Sequence, residues 1–220
     1  MTDACLAPIK IQPSGGRLID GDCMIYLVSD KVSSFGWLNY SDNNVLDADD
    51  FYQGYRVGNS GAVVQFQLSA KCSVKKLNAR HVIYSVAGPI LVSGAFREII
   101  ERHASDGVEF LPVAIEADSP GISEFWALNP LRIEECVDMD RSEFRQTNFD
   151  MSNPCYSFDY MVMRDAWEYD AQIAICAEAR NRWVVSQSIA EACVQANLKG
   201  LVFYGALDMT YGDRTVSLTL

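Results

Sequence analysis

The order of apolar and polar positions in residues 92–110 recurs without a gap in residues 185–203. In each copy a short apolar run, residues 89–92 or 183–185, leads to a serine, Ser93 or Ser186, and then to apolar positions at helical spacing. Phe96, Ile99, Ile100 and His103 fall at i, i+3, i+4 and i+7, and so do Ile189, Ala192, Cys193 and Ala196, which predicts one buried stripe on each helix. The serines stand where a hydroxyl caps the first free helix amides. Gly107 and Gly200 stand where a left-handed residue ends a helix. Residues 108–110 and 201–203 then open the next extended segment. The chain therefore predicts a strand–helix–strand unit written twice.

Elsewhere the pattern changes from helical to extended. Residues 1–22 hold Pro8, Pro13, Gly15, Gly16 and Gly21 and predict an irregular lead-in. Residues 23–28 predict a strand from their apolar and β-branched content. Val64, Phe66 and Leu68 alternate with polar residues, as in a half-buried strand. Residues 81–86 and 112–115 read as extended, Asp118 to Gly121 as a turn, and residues 125–128 and 131–137 as strands interrupted at Asn129 and Pro130. Residues 145–157 are polar and form a natural boundary; residues 158–163 and 173–177 read as strands, and Val216, Leu218 and Leu220 as a closing one. The fold class expected is α+β, with mixed or mainly antiparallel sheets, a few packed helices and two related strand–helix–strand units. The expected organisation is a divergent, β-rich N-terminal region (1–80), a first unit (81–150) and a second unit (151–220), in one domain or two closely packed lobes.

Composition narrows the functional classes. Among 220 residues, 18 basic side chains stand against 29 acidic ones, a net charge of -11. Nucleic acid and anionic membranes are thus poor partners, and a basic partner is favoured unless the charge serves solubility alone. No apolar run approaches the length of a membrane helix, and the N-terminus has no basic-then-apolar leader, so a cytoplasmic protein is expected. The seven cysteines are scattered and odd in number, with no Cys-x-x-Cys. They read as small buried apolar residues in a reducing compartment, with neither a disulfide framework nor a zinc site.

Catalytic signatures are absent. The two histidines, His81 and His103, read as structural: His103 lies on the apolar stripe in the last helical turn, and His81 opens a strand with no nucleophile motif beside it. No nucleophile elbow, zincin, dinucleotide, phosphate-loop or calcium-loop motif occurs, and neither a cofactor nor a metal is expected. Glu134 with Glu135, or Asp138 with Asp140, is open to reading as an acid–base or magnesium pair, but a solvated acidic face explains them without histidine, lysine or glycine-loop company.

The segment order carries a resemblance. Val-Ser, an amphipathic helix, a glycine and Val-Glu-Phe-Leu-Pro-Val (residues 92–113) are followed by Phe-Trp-Ala-Leu-Asn-Pro (125–130) and by Val-Asp-Met-Asp-Arg-Ser-Glu-Phe (137–144). A second Val-Ser, helix and Leu-Lys-Gly-Leu-Val-Phe then close the series (185–203). Over residues 80–205 this resembles immunity family eleven of bacterial polymorphic toxin systems. The resemblance implies a cytoplasmic antidote that binds a cognate antibacterial toxin, encoded beside it, and blocks its active or substrate-binding surface; it implies no catalytic residues. An enzyme that uses an acidic pair to reverse a toxin's modification, and a non-catalytic regulatory binding module, remain the alternatives.

Charge points to where such a partner would bind. Between residues 32 and 55 there is no lysine or arginine, and acidic side chains alternate with rings. Asp47, Asp49, Asp50, Tyr52 and Tyr55 are the first choice for a toxin-binding surface, and Trp167 and Tyr169 the second. Carboxylates would steer a basic toxin, of which a nuclease is one example, and rigid rings would anchor it. The competing reading is that these rings are ordinary core.

Overall fold

Strands that are apolar on both faces form the centre of the molecule. The structure, a computed structural model, describes residues 25–30, 34, 36–58, 61–85, 87–148, 154–165, 171–208 and 216–217. In chain order the strands are β1 (Ile25–Asp30), β2 (Leu38–Tyr40), β3 (Val64–Leu68), β4 (Val82–Ile83), β5 (Ile90–Ser93), β6 (Val108–Glu116), β7 (Phe125–Pro130), β8 (Ile133–Glu134), β9 (Glu143–Gln146), β10 (Tyr156–Val162), β11 (Ile173–Cys176), β12 (Trp183–Ser186), β13 (Leu201–Tyr204), β14 (Ala206–Asp208) and β15 (Val216–Ser217). The α-helices are α1 (Val74–Asn78), α2 (Gly94–Ala104) and α3 (Gln187–Gln195). Three sheets result, in the orders β13-β1-β12-β11-β8, β2-β3-β6-β7-β5-β4 and β15-β14-β10-β9. The fold is α+β with mixed sheets, since β3 pairs with β6 and β8 with β11 in parallel while the other pairings are antiparallel.

The repeated sequence is a repeated structure. β5 and β6 flank β7, and β12 and β13 flank β1, with the central strand antiparallel to both neighbours each time. In the first unit the central strand follows in sequence; in the second it comes from residues 25–30. β4 and β11 add a matching antiparallel strand beside β5 and β12.

The two helices lie between the two larger sheets. Phe96, Ile99 and Ile100 of α2 and Ile189, Ala190 and Cys193 of α3 share one core with Tyr26, Val28, Trp183 and Val185 of one sheet and with Ile90, Val92, Val108 and Leu128 of the other. Because β1 also turns Ile25 and Leu27 to the opposite side, against Phe158, Met161 and Met163, both of its faces are buried and it reads as an unbroken apolar run. Leu91, Leu111 and Ala127 likewise turn away from the helices, into a third core with Phe51, Phe66 and Leu77. At the centre Phe96 meets the Trp183 ring edge-on at 5.7 Å. The Trp183 indole donates to the Tyr84 hydroxyl at 2.9 Å, and Tyr84 donates to the Val28 carbonyl at 2.6 Å, so a polar bridge links the two sheets.

Several expectations from the sequence are corrected. His103 is exposed, because the buried stripe of α2 runs through Phe96, Ile99 and Ile100 to Ala104 and leaves His103 beside it. In α3 Ala190 is buried and Ala196 is exposed, which rotates the stripe toward α2. Ser93 does cap α2, accepting from the Phe96 amide at 3.3 Å, but the Ser186 hydroxyl donates to Gln172 instead. The residue that ends α3 is Asn197, at φ +52, with the Asn197 and Leu198 amides donating back to the carbonyls of Val194 and Cys193. Asn129 and Pro130 do not interrupt a strand; both belong to β7. Of the cysteines, Cys72, Cys136, Cys176 and Cys193 are buried but Cys155 is exposed, and Cys5 and Cys23 lie outside the described residues.

Replacing Phe96 with alanine removes the ring on which both sheets and α3 close. Equilibrium urea denaturation is expected to show a loss of about 3–5 kcal/mol; a loss under about 1 kcal/mol would show that the helix layer is not the shared core.

Candidate functional site

The acidic segment is a loop that leaves the six-stranded sheet at β2 and returns along β6 and β7. It is fixed at every turn. The Ser41 amide continues the β2 pairing by donating to the Gln65 carbonyl at 3.1 Å. Asn44 then imitates a strand with its side chain, accepting from the Gln65 amide at 2.7 Å and donating to the Gln65 carbonyl at 2.9 Å. The Tyr40 hydroxyl donates to the Leu46 carbonyl at 2.7 Å. Between these two anchors Val45 projects with 97% of its surface exposed.

Residues 48–52 form a 3-10 turn, and its charges are partly structural. The Asp50 carboxylate accepts from the Asp47 amide at 3.1 Å and from the Tyr55 hydroxyl at 3.1 Å. Phe51 points inward and is fully buried. The Tyr52 hydroxyl donates to the Gly88 carbonyl at 2.7 Å. Gly88 has φ +87, and a Cβ there would collide with the Tyr40 ring, so only glycine allows this approach. Farther on, Glu109 of β6 accepts from the amides of Val57 and Gly58, and Asn129 of β7 donates to both Glu109 and the Tyr55 carbonyl at 2.9 Å.

The first-choice residues are thus brought together, with unequal roles. Asp47, Asp49 and Tyr55 are exposed, Asp50 is half-buried and serves the turn, and Tyr52 is half-buried with its hydroxyl tied inward. The second-choice residues Trp167 and Tyr169 lie outside the described residues. None of Asp42, Asp47, Asp49 and Asp50 forms an ion pair among the described residues. The uncompensated charge is felt by the neighbouring hydroxyls. Burial, reinforced by Asp49, pushes Tyr52 up to about 12, and burial with Asp47 and Asp50 does the same to Tyr40. The hydrogen bond to Asp50 raises Tyr55. Asp49, Tyr52 and Gln53 also form one wall of an open cleft of about 780 Å³, opposite Tyr156, Glu178 and Arg180.

Three carboxylates outside the loop are engaged locally. Asp138 accepts from the amides of Asp140 and Arg141 and from the Arg141 guanidinium, which holds it below the usual carboxylate range. Glu135 pairs with Arg164 at 2.6 Å. Glu178 accepts from the Cys136 and Val137 amides. Among the described residues, no three His, Cys, Asp or Glu side chains converge as a metal site requires.

One contact had no signal in the sequence. His81 Nδ1 lies within hydrogen-bond distance, 2.8 Å, of the Ser93 hydroxyl, which also accepts from the Phe96 amide as it caps α2. Burial, reinforced by Lys199, lowers the His81 pKa below the usual imidazole value. The serine is spent on the helix cap, and no carboxylate bonds the ring among the described residues. The anchors Asn44, Glu109 and Asn129 were equally invisible, because their partners lie far away in sequence.

Residues 64–208, about two thirds of the chain, match the model of the Imm11 immunity protein family. A comparison with curated proteins found no match. No helix among the described residues is long and apolar enough to cross a membrane.

Two pH effects are expected. The pKa values of Tyr40 and Tyr52 are raised on folding, so their contribution is complete below pH 10 and is lost as pH rises toward about 12. Ultraviolet titration should therefore find late-ionising tyrosines that disappear in Tyr40→Phe and Tyr52→Phe; ionisation of every tyrosine near pH 10 would contradict this. The pKa of His81 is lowered on folding, so its contribution is present above pH 6.5 and is lost as pH falls through the folded value. Urea denaturation at several pH values should show that loss in the parent and a flatter profile in His81→Gln; identical profiles would contradict it.

Proposed function

The chain belongs to the Imm11 immunity protein family, and we propose on that premise that it binds a cognate antibacterial toxin and neutralises it by covering the toxin's active or substrate-binding surface. The observation that carries the choice of contact surface is the anchored loop of residues 41–58. It presents four carboxylates without ion-pair partners among the described residues, together with exposed Tyr55 and Val45, on a backbone fixed to β3, β6 and β7. Uncompensated charge of one sign raises the encounter rate with a surface of the opposite sign, and a rigid loop loses little entropy on docking. The partner surface is accordingly basic. A toxin that handles a phosphate-bearing substrate, such as a nuclease, has such a surface.

The loop lies outside residues 64–208, the span shared with the family. Asp47, Asp49, Tyr52 and Tyr55, with the cleft beside Asp49, form the proposed contact surface, while Asp50 keeps the turn in shape. Neutralisation by occupation needs no turnover, and Asp138 and Glu135, outside the loop, are engaged with Arg141 and Arg164.

The test is binding to the toxin encoded by the adjacent gene. Asp42→Lys combined with Asp49→Lys changes exposed side chains that bond to nothing described, so the fold is expected to be unchanged. Association measured by stopped flow at low salt should slow at least about tenfold and lose most of its salt dependence. An association rate and salt dependence equal to the parent's would remove this loop from the interface, and failure of the parent to bind would remove the proposed function.

A further inference from the structure

β9 is the last strand of the β15-β14-β10-β9 sheet, with a strand on one side only among the described residues, and all four of its side chains are exposed. The Thr147 amide donates to the Cys155 carbonyl at 2.8 Å, and Arg145 stands opposite Ser157 in the same ladder. By the alternation of an antiparallel ladder, the amide and carbonyl of Arg145 point toward β10, and those of Phe144 point to the open side. The edge has no proline or lysine to discourage a further strand, and the bulge in this ladder, between Phe158 and Tyr160, puts its extra residue on β10 and not on β9.

The side chains divide by face. Phe144 is 40% exposed and lies edge-on to Tyr156 at 5.3 Å and tilted against Phe158 at 5.8 Å, so an aromatic layer stops at the open edge. Glu143 and Arg145 occupy the other face, and neither has an ion-pair partner among the described residues. One opposite-charge pair thus brackets one outward-facing aromatic residue.

We propose that β9 pairs antiparallel with β9 of a second copy of this chain, about a twofold axis at Phe144. In this register the two Phe144 residues exchange both backbone hydrogen bonds and their rings stand side by side, extending each aromatic layer across the axis. Glu143 of each copy faces Arg145 of the other, which makes two opposite-charge cross-strand pairs. A self-complementary patch is what a twofold interface requires. Other registers do not satisfy it: an axis at Arg145 sets two arginines against each other, and an axis between Phe144 and Arg145 opposes a backbone pointing outward to one pointing inward.

Sedimentation equilibrium on the full chain, across a concentration series, tests the pairing. The parent is expected to be dimeric. Glu143→Arg and Arg145→Glu each set like charges opposite one another twice per interface and should each weaken the dimer at least about tenfold, or 1.4 kcal/mol. The double variant carrying both substitutions exchanges the two charges and should restore the dimer to nearly the parent's strength. A parent that is monomeric throughout, a dimer indifferent to both single substitutions, or a double variant no stronger than the single ones would each overturn the proposal. A strand supplied only by another protein would appear as the first of these outcomes.

Discussion

The structure depends on one constraint: two short helices, α2 and α3, each have an apolar stripe that neither of their own sheets covers completely. Each helix packs on the strands of its own unit and also on the other helix, so the two units close on a shared interior at Phe96, Ile189 and Trp183. With the helices on one side and further apolar layers on the other, the central strands β1, β5 and β12 are covered on both faces. Charge is thereby kept out of these strands' apolar faces and placed on the outer faces of the helices, on loops and on outer strands. The acidic loop is one such place, and it is stiff because β3, β6 and β7, to which it is tied, belong to the sheet that the helix layer holds in place.

The loop shows how a scaffold fixes a surface without burying it. Side-chain amides and carboxylates from strands, Asn129 and Glu109, reach out to the loop backbone, and Asn44 reaches back to Gln65. Among the described residues its outward carboxylates have no ion-pair partners, and a surface of one charge sign attracts a partner of the other. The immunity-family match covers residues 64–208; the loop lies before it, and so does β1, which completes the five-stranded sheet between β12 and β13.

Much of the framework was legible in the sequence because periodicity is a local signal. Phe96, Ile99, Ile100, Ile189 and Cys193 declared the helix stripes, and the apolar runs at residues 89–92 and 183–185 declared the buried strands. Capping was legible at Ser93. It misled at Ser186, where Gln172 offers the hydroxyl a different partner, and at Gly200, where Asn197 takes the left-handed position first. The insertion of β1 between β12 and β13 was not legible, since no local pattern states which distant strand completes a sheet. The acidic, aromatic character of residues 42–55 was visible as composition, but Tyr52's inward hydroxyl and Asp50's service to the turn are facts of tertiary contact. The same holds for the His81–Ser93 bond, whose partners come together only when β4 pairs with β5.

The central proposal is that a doubled scaffold presents its acidic loop to a toxin. Hydrogen–deuterium exchange on the chain alone and with the toxin from the adjacent gene tests it most directly. Strong new protection confined to residues 41–58 and the facing cleft around Tyr156 and Glu178, with the helix layer unchanged, is the predicted result. A bound complex whose protection falls elsewhere, with residues 41–58 exchanging as in the free chain, would contradict it.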